Sequence, residues 1–289
     1  MKKYFCITVM LLWLCAAPAQ SAVLFYDDCE NEWSLTDWYP KPYTNIIEVS
    51  PEKARAGSSS YKFTQKPYPT SNSHVELLLN ARNSPIYIQN FPYNKEFWIG
   101  YSLYLPADFE TPYRPSNHGA TMQFHSAGDA CDNSVSNGPT GTFFYTPTQG
   151  QWRIYTQGVS AKCTNTSKDR VHSSYATYTP GKWHDIVIHF KFDYRADNNP
   201  FFKVWVDGVL VKDDYGINCW NDAKGPRFHI GIYSQTSSGL TVYYDEIRIG
   251  DSNSSYAEVA PKGSAPAPVE PSFMEPPNTL RLKGASSSQ

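Results

Sequence analysis

The chain of 289 residues carries 25 basic and 27 acidic side chains, a formal charge of −2, with charged residues at 18% and aromatics at 15%. Charge this sparse, against about 25% in an average soluble domain, together with frequent rings, suits an all-β fold of one large domain or two small ones. So little net charge gives no reason to expect a nucleic-acid partner.

Residues 1–21 read as a secretory leader: "MKK" is basic, "YFCITVMLLWLCAAP" is a short apolar run, and "AQS" precedes a cleavage point before Ala22. The run is too short for a confident transmembrane span, and no later segment is apolar enough to be one. A secreted protein, extracellular or periplasmic, is expected, with no membrane partner. Loss of Lys2 and Lys3 with the leader leaves 23 basic against 27 acidic residues, a formal charge of −4. Four cysteines remain, Cys29, Cys131, Cys163 and Cys219, an even number in an exported chain. Three pairings are open; Cys131–Cys163 with Cys29–Cys219 is the one expected. No two cysteines have the close spacing of a zinc site.

From residue 22 to 250 strand signals follow one another. "EFWIGYSLYLP", "TMQFHS", "GTFFYTP", "QWRIYTQ", "KWHDIVIHFKFD", "FFKVWVDGVLV", "RFHIGIYSQ" and "LTVYYDEIRIG" are aromatic and β-branched, bounded by Gly, Pro, Asn and Asp. Asp207–Gly208 predicts a tight type I′ hairpin. No long amphipathic helix is evident, so a two-sheet β-sandwich or jelly roll is expected. From Asp251 the chain turns Pro- and Ser-rich, and 251–289 reads as a disordered tail.

Three of these strands have an unusual polar face. Alternate residues of a strand share a face. In "RFHIGIYSQ" that puts His229, Gly231, Tyr233 and Gln235 together, opposite Phe228, Ile230 and Ile232. In "TMQFH" Gln123 and His125 oppose Met122 and Phe124. In "SHVELLL" His74 and Glu76 oppose Val75, Leu77 and Leu79. Solvated faces are usually Lys, Glu, Thr or Ser; His, Gln, Tyr and Gly on three strands point to a cleft, with Gly231 leaving room for a ligand.

The same strands carry a resemblance to the jelly-roll polysaccharide lyases, the group of alginate lyases, glucuronan lyases and heparin lyase I. In the alginate lyases one strand reads Arg-x-Glu-Leu-Arg, another Gln-Ile/Val-His, a third Tyr-Phe-Lys-Ala-Gly-x-Tyr-x-Gln. This chain has "HVELL", "QFH" and "RFHIGIYSQ" in that order. His74 and Leu78 stand where that family has arginines and His229 where it has lysine, so the looser branch of glucuronan lyase and heparin lyase I is the better likeness. The resemblance covers about residues 24–250. It implies β-elimination on an anionic uronic-acid polysaccharide, with glucuronate polymers ranked before alginate. Gln123 would donate to the substrate carboxylate, His125 would act as base or second donor, and Tyr233 as acid, or as acid and base. His74, Arg153, Arg227, His229 and Gln235 would bind substrate, and Glu76 would be a structural partner. His184 and His189 have no counterpart and read as structural. No cofactor is expected and a monomer is; Asp193, Asp197 and Asn199 offer a possible structural calcium loop, otherwise a polar turn.

Two competing functions stand beside this one. A lectin-like carbohydrate-binding sandwich would also use exposed Tyr and Trp. A β-sandwich glycoside hydrolase would need a Glu-x-Asp-x-x-Glu run, and none exists; the adjacent Asp245 and Glu246 point to opposite faces.

Overall fold

The computed structural model describes residues 23–41, 45–67, 74–82, 88–109, 119–126, 138–146, 150–162, 168–234 and 238–265. The leader 1–21, the residues after 265, and Cys131, Cys163 and Gln235 lie outside the described residues.

In chain order the strands are β1 (Val23–Asp27), β2 (Trp38–Lys41), β3 (Ile46–Ser50), β4 (Ser60–Gln65), β5 (His74–Leu79), β6 (Glu96–Leu105), β7 (Gly119–His125) and β8 (Pro139–Thr146). They continue with β9 (Gln151–Lys162), β10 (Arg170–Thr177), β11 (Lys182–Lys191), β12 (Phe201–Val206), β13 (Val209–Tyr215), β14 (Trp220–Asn221), β15 (Arg227–Tyr233) and β16 (Leu240–Asp251). One sheet runs β13-β12-β11-β6-β16-β4-β3, with β1 also paired to β16. The other runs β10-β9-β8-β7-β15-β5-β2, with β14 paired in parallel to β9 and every other pairing antiparallel. This is the expected all-β sandwich. Asp207 and Gly208, with φ of 50° and 81°, make the predicted two-residue turn between β12 and β13.

The alternation read from the sequence decides what lies between the sheets. Phe63, Tyr101, Leu103, Ile188, Phe190, Phe202 and Val242 face inward from the first sheet, and Trp38, Val75, Leu77, Met122, Phe124, Trp152, Phe228 and Ile230 from the second. Phe124 sits at the centre, its ring 4.9 Å from those of Phe190 and Phe192 and 5.4 Å from Phe228. Across the core the Tyr244 hydroxyl of β16 donates to the Thr121 carbonyl of β7 and, at 3.2 Å, to the Gly231 carbonyl of β15. The first sheet thus braces the two strands that carry most of the polar face.

Two expectations need correction here. The folded part does not stop at 250. A short helix, α1 (Tyr256–Val259), buries Tyr256 and Val259 against Val187 and Trp205, with Trp98 packed alongside. Gly100 has no Cβ because Val259 covers it: an added Cβ would lie 1.9 Å from the Val259 carbonyl oxygen. Ordered packing therefore continues past the Pro- and Ser-rich onset, because two apolar side chains in that stretch have a hydrophobic partner waiting. The second correction concerns the Cys29–Cys219 bridge: both are buried free thiols. Cys29 follows β1, its Sγ 3.8 Å from the Asp27 carbonyl, beside Tyr61. Cys219 precedes β14, near Tyr93, Asp193 and Asp222. A cysteine count cannot register that the two enter different neighbourhoods. Burial pushes both thiols up.

Candidate active site

The outer face of the second sheet carries the predicted polar residues. Strand register sets its rows. Leu78, His229, Gln123, Thr142 and Tyr155 are successive cross-strand partners through β5, β15, β7, β8 and β9. Tyr233 pairs with His74, Gly231 with Glu76, and Arg227 with His125.

Glu76 is the hub. It is 3% exposed and accepts from Gln123 Nε2 at 2.6 Å and from His74 Nδ1 at 3.1 Å, while His229 Nδ1 stands 3.6 Å away. Burial alone would raise its carboxyl, but the imidazoles of His229 and His74 beside it outweigh that and hold it well below the usual carboxylate range. Because a carboxylate only accepts, the Gln123 atom facing it is the amide nitrogen, with one N–H left to donate elsewhere. The His74 ring stacks on Tyr233 at 4.1 Å and 12°. The His125 ring stacks on His229 at 5.7 Å and 10°. Tyr233, His74, Glu76, Gln123, His229 and His125 thus form one unbroken chain of contacts.

His125 is held in a defined tautomer. Its Nδ1 lies 2.9 Å from the Ser126 carbonyl, which can only accept, so the proton is on Nδ1 and Nε2 carries the lone pair. Burial lowers its pKa below the ordinary histidine value, which favours the neutral form. Neither ring nitrogen of the buried His229 has a hydrogen-bond partner among the described residues.

The backbone under Tyr233 differs from a plain strand. β15 carries one extra residue relative to β7 between Ile230 and Tyr233, a β-bulge, and Gly231 has φ 132°. A Cβ there would lie 2.2 Å from the Val75 carbonyl oxygen and 3.1 Å from Phe63. The glycine makes room for the neighbouring backbone, not for a ligand above the sheet, which corrects the sequence expectation.

Arg153 and Arg227 lie on the same face but outside the contact chain. Arg153, on β9, donates from Nε to Ser173 Oγ at 3.1 Å and lies over the Tyr155 ring. Arg227 lines a pocket with Tyr39, Leu78, Leu79 and Gln89. Tyr155, in the Gln123 row with its phenol pushed up by burial, is a residue that the sequence reading passed over; its alternation with Trp152 and Ile154 was the available signal. His184 and His189 belong to β11 in the other sheet. His184 Nδ1 meets Asp207 Oδ2 at 2.7 Å and Nε2 accepts the Thr179 N–H at 2.9 Å, while His189 stacks on Trp98. Asp245 and Glu246 also lie in that sheet, held by the Arg55 and Ala56 amides and by Arg248 respectively. Asp193 takes Arg195 on both oxygens and Asn198 on one. Among the described residues no three His, Cys, Asp or Glu side chains are grouped to hold a metal ion. No helix among them is long and apolar enough to cross a membrane.

Comparison with known proteins bears on the family and the fold. The polysaccharide lyase family profile matches residues 33–248. Among solved structures the chain is similar to endo-beta-1,4-glucuronan lyase from the fungus Trichoderma reesei, with a TM-score of 0.63 and 20% identity over 83% of this chain and 99% of that one. It is also similar to the cellulose induced protein Cip1, with a TM-score of 0.51 and 14% identity over 78% of this chain and 96% of that one. At these identities the likenesses establish the jelly-roll sandwich alone. No curated protein sequence matches the chain. The family profile spans most of the chain and both sheets, which decides between the lyase and the lectin-like alternative: the chain belongs to the polysaccharide lyase family and is a polysaccharide lyase.

Proposed function

We propose that the protein is a secreted lyase that cleaves a uronic-acid polysaccharide by β-elimination, with glucuronate polymers preferred to alginate. The observation that carries this reading is the contact chain from Tyr233 to His125, in which the carboxylate, Glu76, is already occupied by its neighbours. The face around it offers donors and cations, His74, His229, Arg227 and, farther across the sheet, Arg153, beside the neutral His125. A local strip of this kind governs the field within about 8–10 Å, so the chain's acidic balance does not oppose a polyanionic substrate. Similarity to a protein described as a glucuronan lyase supports the ranking of polymers.

The chemistry follows from the groups. The C5 proton of a uronate is poorly acidic while the adjacent carboxylate carries its full charge. The free N–H of Gln123 and a ring N–H of His229 donate to that carboxylate and stabilise the enolate-like intermediate. A base removes the C5 proton, the C4–O4 bond breaks as the C4–C5 double bond forms, and an acid protonates O4. His125, with its Nε2 lone pair free, suits the base; Tyr233 suits the acid. In glucuronate and mannuronate the C5 proton and O4 lie on one side of the ring, and Tyr233 alone serves both transfers. In guluronate and iduronate they lie on opposite sides, and the pair divides the work.

The test is a panel of glucuronan, alginate and heparin read by ultraviolet absorbance of the unsaturated product, with wild type, His125→Ala and Tyr233→Phe. Wild type releases such product from at least one polymer, and Tyr233→Phe loses at least about 100-fold. Full rate in Tyr233→Phe on the preferred polymer contradicts the mechanism.

A further inference from the structure

Tyr39 and Arg227 share a pocket that the reaction chemistry above does not use. β2 is the edge strand of the sheet, and Trp38 points into the core with no exposure. Tyr39 therefore points to the outer face of that sheet, and it is 59% exposed. A single exposed tyrosine is ordinary; its neighbour is not. Arg55, Arg170, Arg195 and Arg248 each pair with an Asp or Glu. Arg227 has no such partner among the described residues, and its Nε is buried with no hydrogen-bond acceptor. A buried N–H without an acceptor costs stability, and no acid among the described residues holds the rest of this guanidinium away from an anion. The pocket between the two side chains holds about 270 Å³ and is floored by Leu78, an apolar surface of the kind a sugar ring covers.

Register fixes how far this pocket lies from the reaction. Tyr39 pairs with Leu78, Leu78 with His229, and His229 with Gln123. At about 4.8 Å between neighbouring strands, three spacings put Tyr39 roughly 14 Å from Gln123. One strand spacing is close to the length of one pyranose unit, so a polymer lying across the strands brings a sugar over Leu78 when another has its carboxylate at Gln123.

We infer that Tyr39, Leu78 and Arg227 form a second uronate subsite, in which a sugar ring packs on Tyr39 and its carboxylate pairs with Arg227. The inference rests on the uronate reading above. It makes the protein selective for contiguous uronates over chains in which a neutral sugar falls at this position. Arg227 supplies the charge dependence and Tyr39 the stacking.

The experiment is calorimetric titration of oligoglucuronates, from disaccharide to hexasaccharide, into the Tyr233→Phe protein, then with Tyr39→Ala or Arg227→Gln added. A hexasaccharide with reduced carboxyl groups is titrated alongside. Affinity rises with length until the subsite is filled. Arg227→Gln weakens the uronate hexasaccharide about tenfold or more, leaves the disaccharide and the reduced hexasaccharide unchanged, and Arg227→Lys recovers part of the loss. Tyr39→Ala weakens both hexasaccharides about fivefold; because that ring is exposed, its removal leaves the melting temperature unchanged. The inference is overturned if Arg227→Gln binds the uronate hexasaccharide as tightly as its parent. It is equally overturned if the loss is the same for the reduced oligomer or the disaccharide, or if Tyr39→Ala has no effect. The two readings separate cleanly. Length-dependent, Arg227-dependent binding without unsaturated product from wild type removes the lyase mechanism and keeps the subsite. Unsaturated product without length dependence removes the subsite alone.

Discussion

Glu76→Gln tests whether the polar face is organised around one buried carboxylate. The carboxylate presents only acceptors, and it meets Gln123 Nε2 and His74 Nδ1 on its two oxygens. An amide in its place has one acceptor and one NH2, so one of the two contacts survives only if Gln123 turns its amide or His74 moves its proton to Nε2, and neither bond is then made to a charged group. A hydrogen bond to a charged group contributes about 1.5–3 kcal/mol. The Gln123 bond is buried and counts in full; the His74 bond is discounted because that ring is one-third exposed. The expected loss is about 3 kcal/mol, a large part of the roughly 5–15 kcal/mol that holds a domain together. Urea denaturation at pH 7 reads it as a lower midpoint with an unchanged slope. The pH dependence has a definite sign. The Glu76 carboxyl is depressed in the folded protein, so its contribution is complete above its unfolded value of about 4.3 and is lost as pH falls through the lower folded value. The gap between wild type and variant therefore narrows below about pH 4. With Gln123 no longer oriented, kcat falls about 100-fold. Equal midpoints at pH 7, or a gap that persists unchanged into strong acid, would refute the reasoning.

Gly231→Ala forces a Cβ to within 2.2 Å of the Val75 carbonyl at a φ of 132°; a loss of about 1–3 kcal/mol in thermal or urea unfolding is expected, and a neutral substitution removes the bulge argument. Phe124→Ala empties the middle of the core and lowers stability by about 3–5 kcal/mol, read in the same denaturation experiment. On a guluronate or iduronate polymer, where the pair divides the work, the rate against pH carries an acid limb from His125. Its base form is required there and burial lowers its pKa, so kcat/KM holds its plateau to below pH 6.5 and then falls, and His125→Ala abolishes that limb along with most of the rate.

What was legible in the sequence was whatever period-two alternation and turn chemistry decide. "TMQFH" and "RFHIGIYSQ" gave both the core side, Met122, Phe124, Phe228 and Ile230, and the groove side, Gln123, His125 and His229. Asp207–Gly208 gave its turn. Pairings between distant segments were not legible. That β2 lies beside β5, bringing Tyr39 beside Leu78, and that Tyr155 falls in the row of Gln123, follow from strand order, which no local pattern encodes. Glu76 could be named a structural partner, but its three neighbours come from β5, β7 and β15 together. Gly231 was noticed and given the wrong reason: its φ of 132° and the Val75 carbonyl that a Cβ would strike call for glycine, and alternation encodes neither. The cysteines failed for a related reason: Cys29 and Cys219 are far apart in environment, and only the folded chain tells them apart.

The central claim is that this sheet face cleaves a uronate polymer by elimination. Mass spectrometry of the products from the preferred polymer tests it most directly. Elimination consumes no water, so the new non-reducing ends are predicted to be one water lighter than saturated oligomers and to absorb in the ultraviolet, and both signals should vanish in Tyr233→Phe. Saturated products that have gained a water, or unsaturated products at full rate from Tyr233→Phe, would contradict it.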